Sequence, residues 1–251
     1  MVDLNTIVDY CNNLLEIERF KDYCPNGLQL EGGADIRKLV SGVSASQALI
    51  DAAAAAGADA LLVHHGFFWR GEDPCIVGIK QRRIKRLLDS GISLLAYHLP
   101  LDAHPVYGNN AQLASALGLS VEGQFGQESP PLGRYGRVAS PLDASEFAAT
   151  IERALQRAPL HIAGSQAQIT SVAWCSGAAQ NYIGQAAELG VDAFISGEIS
   201  EQTVHVAREC GIHYFAAGHH ATERGGVRAL GQHLAQQFDL RMQFIDIANP
   251  V

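Results

Sequence analysis

Short apolar runs alternate with helical stretches over most of this 251-residue chain, and several of the runs end directly in polar residues. Residues 38–43 and 59–63 are apolar enough to form buried strands, and the alanine-rich residues 47–56 between them favour a helix. Residues 78–90 and 92–97 continue this order with a further helix and a further strand. Strands that alternate with helices form parallel sheets that helices cover. The pattern therefore predicts an α/β fold with three-layer packing.

Composition and charge exclude several classes of protein. The formal net charge of −8 gives no basic footprint for nucleic acid. No apolar run approaches the roughly 20 residues that cross a bilayer, and residues 1–30 lack the basic and apolar regions of a secretory signal. The five cysteines are widely spaced without a CxxC pair, which indicates reduced thiols. We expect a cytoplasmic protein with neither a membrane nor a nucleic-acid partner.

The two halves of the chain resemble each other when Gly57 is aligned with Gly190, because His65 then meets Glu198 at the end of a matching apolar run. Shared α/β composition produces part of this similarity by chance, but matching polar residues at matching strand ends favour an internal repeat. We expect two interlinked three-layer α/β/α lobes, residues 1–125 and 126–251. Whether the C-terminal segment packs back on the first lobe stays open.

The segment around the predicted boundary of these lobes lacks the periodicity of the rest of the chain. Residues 122–135 combine glycines with two adjacent prolines and show little periodicity. Glycines and prolines in this combination are typical of loops. It predicts a rim loop or a lobe boundary here.

Polar residues gather after four of the predicted strands. In chain order they are His64 and His65, then His98 and Asp102, then Glu198, and finally His219 and Glu223. Ligands of open α/β sheets bind outside the carboxyl ends of the strands, so these side chains are expected at one edge. A helix that begins near Gly218 would place His219 and Glu223, four residues apart, on the same face.

Imidazole and carboxylate groups together suit divalent ions such as zinc, iron and manganese. One ion needs three or four protein ligands, whereas the chain offers at least five good candidates: His64, His65, Asp102, His219 and Glu223. Adjacent histidines on an extended segment point to opposite sides, so His64 and His65 could each serve a different ion. A dinuclear site with a bridging carboxylate accounts for the number of candidates. Taken singly, Asp102 could instead cap a helix, and Glu223 could favour a helix N-terminus.

Four motifs, in this order, resemble the GTP cyclohydrolase 1 type 2 homologue family, also called the NIF-three-like family, in its short bacterial form. The motifs are VHHG at 63–66, YHLPLD at 97–102, ISGEIS at 195–200 and GHHATE at 218–223. The resemblance implies two divalent metal ions per chain, with His64, His65, Asp102, His219 and Glu223 as ligands and Glu223 as the bridge. It also implies two α/β lobes and a ring-shaped homohexamer.

The favoured hypothesis for function is a metal-dependent hydrolase that acts on a small, nucleotide-like molecule. The family name implies ring-opening hydrolysis of GTP. His98 and Glu198 are candidate catalytic residues that could shuttle a proton or orient a ligand. The alternatives are a non-enzymatic hexameric scaffold or regulatory protein that the metals stabilise, and a metal-trafficking protein. Zinc, iron and manganese are equal candidates, because all three accept histidine and carboxylate ligands.

Overall fold

The computed structural model describes residues 1–251, which divide into two compact units. The first unit comprises Met1–Gly108 and Gly226–Ala248. The second unit comprises Asn109–Gly225 and Asn249–Val251. None of the helices has the length and the apolar composition that a membrane crossing requires.

Strands and helices alternate along most of the chain. The strands are β1 (Val2–Asp3), β2 (Gly27–Leu30), β3 (Asp35–Ile36), β4 (Lys38–Ser44), β5 (Ala60–His65), β6 (Ser93–Ala96), β7 (Ser120–Phe125), β8 (Gly133–Leu142), β9 (Leu160–Ile162), β10 (Ile169–Cys175), β11 (Ala193–Ser196), β12 (His213–Ala216) and β13 (Arg241–Phe244). The α-helices are α1 (Leu4–Leu14), α2 (Gln47–Ala55), α3 (Gly78–Asp89), α4 (Leu99–Ala103), α5 (Asn109–Leu117), α6 (Ala144–Leu155), α7 (Ile183–Glu188), α8 (Glu201–Cys210) and α9 (His219–Phe238). The α/β fold predicted from the sequence is confirmed.

The first unit contains a five-stranded sheet in the order β13-β4-β5-β6-β2. The first four strands are parallel, and β2 adds an antiparallel edge. Leu61 and Val63 of β5 pack on the side of α2 and α3, whereas Leu62 packs on the side of α1 and α9. This alternation follows from the two-residue period of a strand. It buries both faces and produces the three predicted layers.

The second unit contains a six-stranded sheet in the order β7-β8-β10-β11-β12-β9, in which β10, β11 and β12 are parallel. Trp174, Ile195 and Phe215 pack in one buried cluster with residues of α5 and α6. The alternate residues of β11 and β12, Phe194 and Tyr214, are also fully buried. This sheet too is therefore covered on both faces.

One arrangement occurs in both sheets: an aspartate oxygen that accepts hydrogen bonds from two consecutive backbone N–H groups. Oδ2 of Asp59 accepts hydrogen bonds from the backbone N–H groups of Arg37 and Lys38, both at 2.8 Å. Oδ2 of Asp192 accepts from the backbone N–H groups of Thr170 and Ser171, at 2.8 and 2.9 Å. Each aspartate thus precedes one parallel strand and anchors the start of its neighbour, which is physical support for an internal repeat.

The predicted rim loop over residues 122–135 is confirmed only in its middle, residues 126–132, because both ends of the segment are strands. β7 and β8 form an antiparallel hairpin around this loop and cover residues 122–125 and 133–135. Two glycines of its strands occupy places where a side chain would collide, since a Cβ on Gly123 would meet the ring of Tyr135, and one on Gly133 would meet the ring of Phe125. Close packing, and not a turn, therefore requires these glycines, which obscured the pattern of the strands.

We expect Leu62→Ala to lower the free energy of unfolding by about 3 kcal/mol, because it leaves a cavity under the strand that ends in His64. Leu62 is fully buried. Leu88→Ala on α3 is the control: its side chain is 53% exposed, so the change should stay within about 0.5 kcal/mol. Urea titrations followed by circular dichroism measure both values. Equal losses in the two variants would contradict the packing described above.

Candidate metal centre

Two parallel strands of the first unit end in the predicted histidines. His64 and His65 are the last residues of β5, and His98 follows β6 directly. Asp102 lies in the short helix α4, which begins immediately after His98. All four side chains therefore stand at the carboxyl ends of neighbouring strands, as the sequence predicted.

His64 is completely buried and is held in a single orientation. Its Nδ1–H donates to the carbonyl oxygen of Tyr97 at 2.8 Å, because a carbonyl can only accept. Its Nε2 atom lies 3.5 Å from Oδ1 of Asp102, which is also buried. An imidazole nitrogen and a carboxylate oxygen at this separation can bind one cation between them.

His65 lies beside His64 and is fixed from a different strand. Its Nδ1 shares a hydrogen bond with the hydroxyl of Ser44 at the end of β4, at 3.0 Å. The ring centroids of His64 and His65 are only 4.6 Å apart. The expectation that these two side chains point to opposite sides is therefore wrong at this strand end, where both rings reach the same region.

His98 forms a hydrogen-bonded pair with Asp22, a residue that the sequence analysis missed. The Nδ1–H of His98 donates to Oδ1 of Asp22 at 2.7 Å. Oδ2 of Asp22 accepts from the backbone N–H of Leu99 at 2.9 Å and from the side chain of Asn26 at 2.8 Å. Burial alone would raise the pKa of Asp22, but the hydrogen bond from His98 and the charge of that ring outweigh it and lower the pKa.

These first-unit residues form two groups that could hold a metal ion. The ring nitrogens of His64, His65 and His98 come within 4.8 Å of one another, and ligand atoms of Asp22, Cys24 and His98 do the same. Burial and the nearby charge of Asp22 raise the pKa of the Cys24 thiol to about 12. Cysteine binds metals as a thiolate, so the histidine group is the better candidate.

The second unit places its three predicted residues in contact with one another. His219 begins α9, and its Nε2 lies 3.2 Å from Oε1 of Glu223, one helical turn further on. Its Nδ1–H donates to Oε1 of Glu198, which follows β11, at 2.7 Å. The predicted helix start near Gly218 is confirmed. Glu198 thus holds the ring of His219 by the nitrogen opposite to the one that faces Glu223.

The two carboxylates determine the charge of His219. Burial alone would lower its pKa, but hydrogen bonds and charge interactions with Glu223 and Glu198 outweigh burial and raise the pKa from 6.5 to about 9. Glu223 itself is 3% exposed. A buried carboxylate needs a cation close by, which the protonated ring provides and a metal ion could provide in its place.

The loop after β10 supports this arrangement through residues that have no obvious signal in the sequence. The hydroxyl of Thr222 accepts from the backbone N–H of Gly177 at 3.1 Å and donates to the carbonyl of His219 at 2.8 Å. Gly177 has φ of +67°, and a Cβ there would collide with Oε1 of Glu223. Glycine is therefore required at this position for two independent reasons.

The donor set suits the metals that the sequence predicted. His64, His65 and His219 each use Nδ1 in a hydrogen bond to protein, so a metal ion would bind these rings at Nε2. Imidazole nitrogen and carboxylate oxygen fit zinc, iron or manganese. The first unit therefore contains a group of histidines that could hold a metal ion, and the second unit places the His219 imidazole beside two carboxylates.

Comparisons with known proteins place the chain in a family. Residues 2–250 match the Duf34/NIF3 (NGG1p interacting factor 3) family. A protein of Pseudomonas aeruginosa named GTP cyclohydrolase 1 type 2 homolog is 54% identical over 250 residues, which cover 99% of each chain.

Two solved structures resemble the whole chain. The structure described as "protein ybgI, unknown function" has a TM-score of 0.96 at 50% identity, and it covers 100% of both chains. The protein TTHA1606 from Thermus thermophilus has a TM-score of 0.90 at 33% identity, again over 100% of both chains. The chain belongs to the Duf34/NIF3 family.

Proposed function

We propose that this protein is a metal-dependent hydrolase of a nucleotide-like small molecule, with two divalent ions per chain. The proposed ligands are His64, His65, Asp102, His219 and Glu223, with Glu223 as the bridge. One observation carries the proposal: the histidine ligands are oriented by hydrogen bonds at Nδ1, to Tyr97, Ser44 and Glu198 in turn. Such partners hold an imidazole in position for a metal before the metal arrives.

The metal ions and the residues around the proposed ligands have different roles in the proposed reaction. When bound, divalent ions supply polarisation of the target bond and a nucleophile at neutral pH. His98 is the proposed acid and base, because Asp22 accepts its Nδ1–H and stabilises the charged ring while Nε2 takes or gives a proton. Glu198 is the proposed positioning residue for His219. The names of the relatives, GTP cyclohydrolase 1 type 2 homolog, support a nucleotide-like substrate.

The alternative is a metal-stabilised scaffold without catalysis, and the ring-shaped homohexamer belongs to both proposals. Chelation separates them. If the metals serve assembly alone, then metal-free protein should fall to monomers or unfold, and no substrate should be turned over. A chelated protein that keeps its fold and assembly would count against the scaffold.

The first test of the proposal is metal content. Protein purified without chelators or a histidine tag is expected to contain two ions per chain by elemental mass spectrometry, and His64→Ala and Glu223→Ala should each lower this content, because each removes a ligand. His205→Ala is the matched control, since His205 is exposed on α8. A content near zero that zinc, iron and manganese do not raise would refute the dinuclear site.

A second test uses the pH dependence of metal binding. His219 must lose its proton to bind a metal, so below its pKa of about 9 the affinity should fall by about tenfold for each pH unit. Competition titrations with a chromogenic chelator measure this slope. Glu198→Gln removes one of the charges that hold the proton and should move the profile to lower pH. A profile unchanged in this variant would contradict the proposed role of Glu198.

The same shift predicts the pH dependence of stability in the metal-free protein. The folded state holds the His219 proton more tightly than the unfolded state does. The contribution of this group is therefore fully present below pH 6.5, the ordinary pKa, and is lost as the pH rises through about 9. Thermal unfolding of metal-free protein across this range tests the sign, and Glu198→Gln should flatten the dependence.

The third test is turnover. On a panel of GTP and related nucleotides, His98→Gln should lower turnover by about 100- to 10,000-fold, because it removes the proposed proton carrier. Its metal content distinguishes this role from that of a ligand: we expect the content of the unchanged protein, and a loss would instead assign His98 to the metal. His64→Ala and Glu223→Ala should abolish turnover and lower the metal content. Turnover that survives the loss of these two ligands would rule out the metal mechanism.

A further inference from the structure

An aromatic segment follows His65 and forms a tight, specific turn. Phe67 is buried in the core of the first unit, whereas Phe68 has φ of +67°, which a bulky residue rarely adopts. The backbone N–H groups of Phe68 and Trp69 both donate to Oε2 of Glu72, at 3.1 and 3.3 Å. The structure thus maintains a costly conformation at this turn, as proteins do at functional sites.

The turn brings Trp69 back against the histidines. Its ring centroid lies 5.0 Å from that of His98, at an interplanar angle of 85°, and 5.9 Å from that of His65. Trp69 is nevertheless only half-buried. One of the largest apolar side chains of the protein therefore stands beside the candidate ligands without entering the core.

A second loop places another aromatic ring close by. The ring of Tyr23 is 6.1 Å from that of His98, and Tyr23 is 52% exposed. Arg70 ties the two loops together: its backbone N–H donates to the carbonyl of Tyr23 at 2.6 Å, and its guanidinium donates to the carbonyl of Asp22 at 2.9 Å. The backbones of the two loops that carry these rings are thus tied together before any ligand binds, which lowers the entropy cost of binding.

We propose that Tyr23 and Trp69 form a stacking subsite for a planar heteroaromatic ring of the substrate. The subsite stands beside His65 and His98, so a molecule stacked there extends its remaining groups towards the candidate metal ligands. Aromatic side chains bind such rings through their faces, without a need for hydrogen bonds. The inference rests on the proposed function and makes it more specific: this subsite would recognise the base, and the metals would act on the reacting bond.

The protein offers a selective optical test, because it contains two tryptophans. Trp174 is fully buried in the second unit, where its Nε1–H donates to the carbonyl of Asn110 at 2.9 Å. Quenching by a stacked ring therefore reports on Trp69 alone. The probes are GTP, guanosine and tripolyphosphate, titrated into metal-free and metal-loaded protein.

GTP and guanosine are expected to quench the fluorescence in both preparations, and tripolyphosphate is expected to leave it unchanged. By equilibrium dialysis, Trp69→Ala and Tyr23→Ala should weaken guanosine binding by roughly tenfold, as loss of a stacking ring does. Trp69→Phe is the matched control: it keeps a ring, so binding should persist while the quenching disappears. Trp174 emission and circular dichroism verify that each variant folds.

Two outcomes would overturn the subsite: no quenching by guanosine, or unchanged binding of GTP and guanosine in Trp69→Ala and Tyr23→Ala. If metal content and turnover then remain as proposed, the aromatic rings only shield the histidines, and the proposal that the protein is a hydrolase stands. Guanosine binding that depends on Trp69 in metal-free protein, without turnover after metal loading, would support the subsite and reject the hydrolase.

Discussion

The candidate site depends on hydrogen bonds that orient its histidine rings. His64 uses a backbone carbonyl, His65 a hydroxyl and His219 a carboxylate, and each bond engages Nδ1. The partner of His219 is a carboxylate, whereas the partners of His64 and His65 are uncharged, and in all three rings the bond fixes the same atom. Orientation by Nδ1 is therefore the constraint that the strands, loops and helix starts jointly satisfy.

The fold satisfies this constraint because the carboxyl ends of neighbouring parallel strands lie at the same edge of a sheet. β5 carries two histidines, and the hydrogen-bond partner of each lies on or just after a neighbouring strand: Ser44 ends β4, and Tyr97 follows β6. In the second unit, Glu198 follows β11 and orients His219, which lies just after β12. Adjacent strand ends thus supply a candidate ligand and its orienting partner, and the recurrence of this arrangement in both units agrees with the matching bonds of Asp59 and Asp192.

Sequence patterns predicted those parts of the structure that depend on local periodicity. Buried strands, amphipathic helices and polar residues at strand ends all leave a signal within a short window. Asp22 leaves none, because its partner His98 is 76 residues away and only the fold brings them together. The strands of the β7–β8 hairpin were missed because Gly123 and Gly133 make room for rings on the opposite strand, whereas glycines in a sequence usually indicate turns.

The second-unit group illustrates how burial and charge together favour a cation. Two carboxylates contact one imidazole, and one of them, Glu223, is almost completely buried. With a neutral ring the group would carry two negative charges, one of them largely removed from water, which is unfavourable. A proton on His219 reduces that charge, and a divalent ion would reduce it further while it displaces the proton. Competition between a proton and a metal ion for this group therefore follows from the arrangement itself.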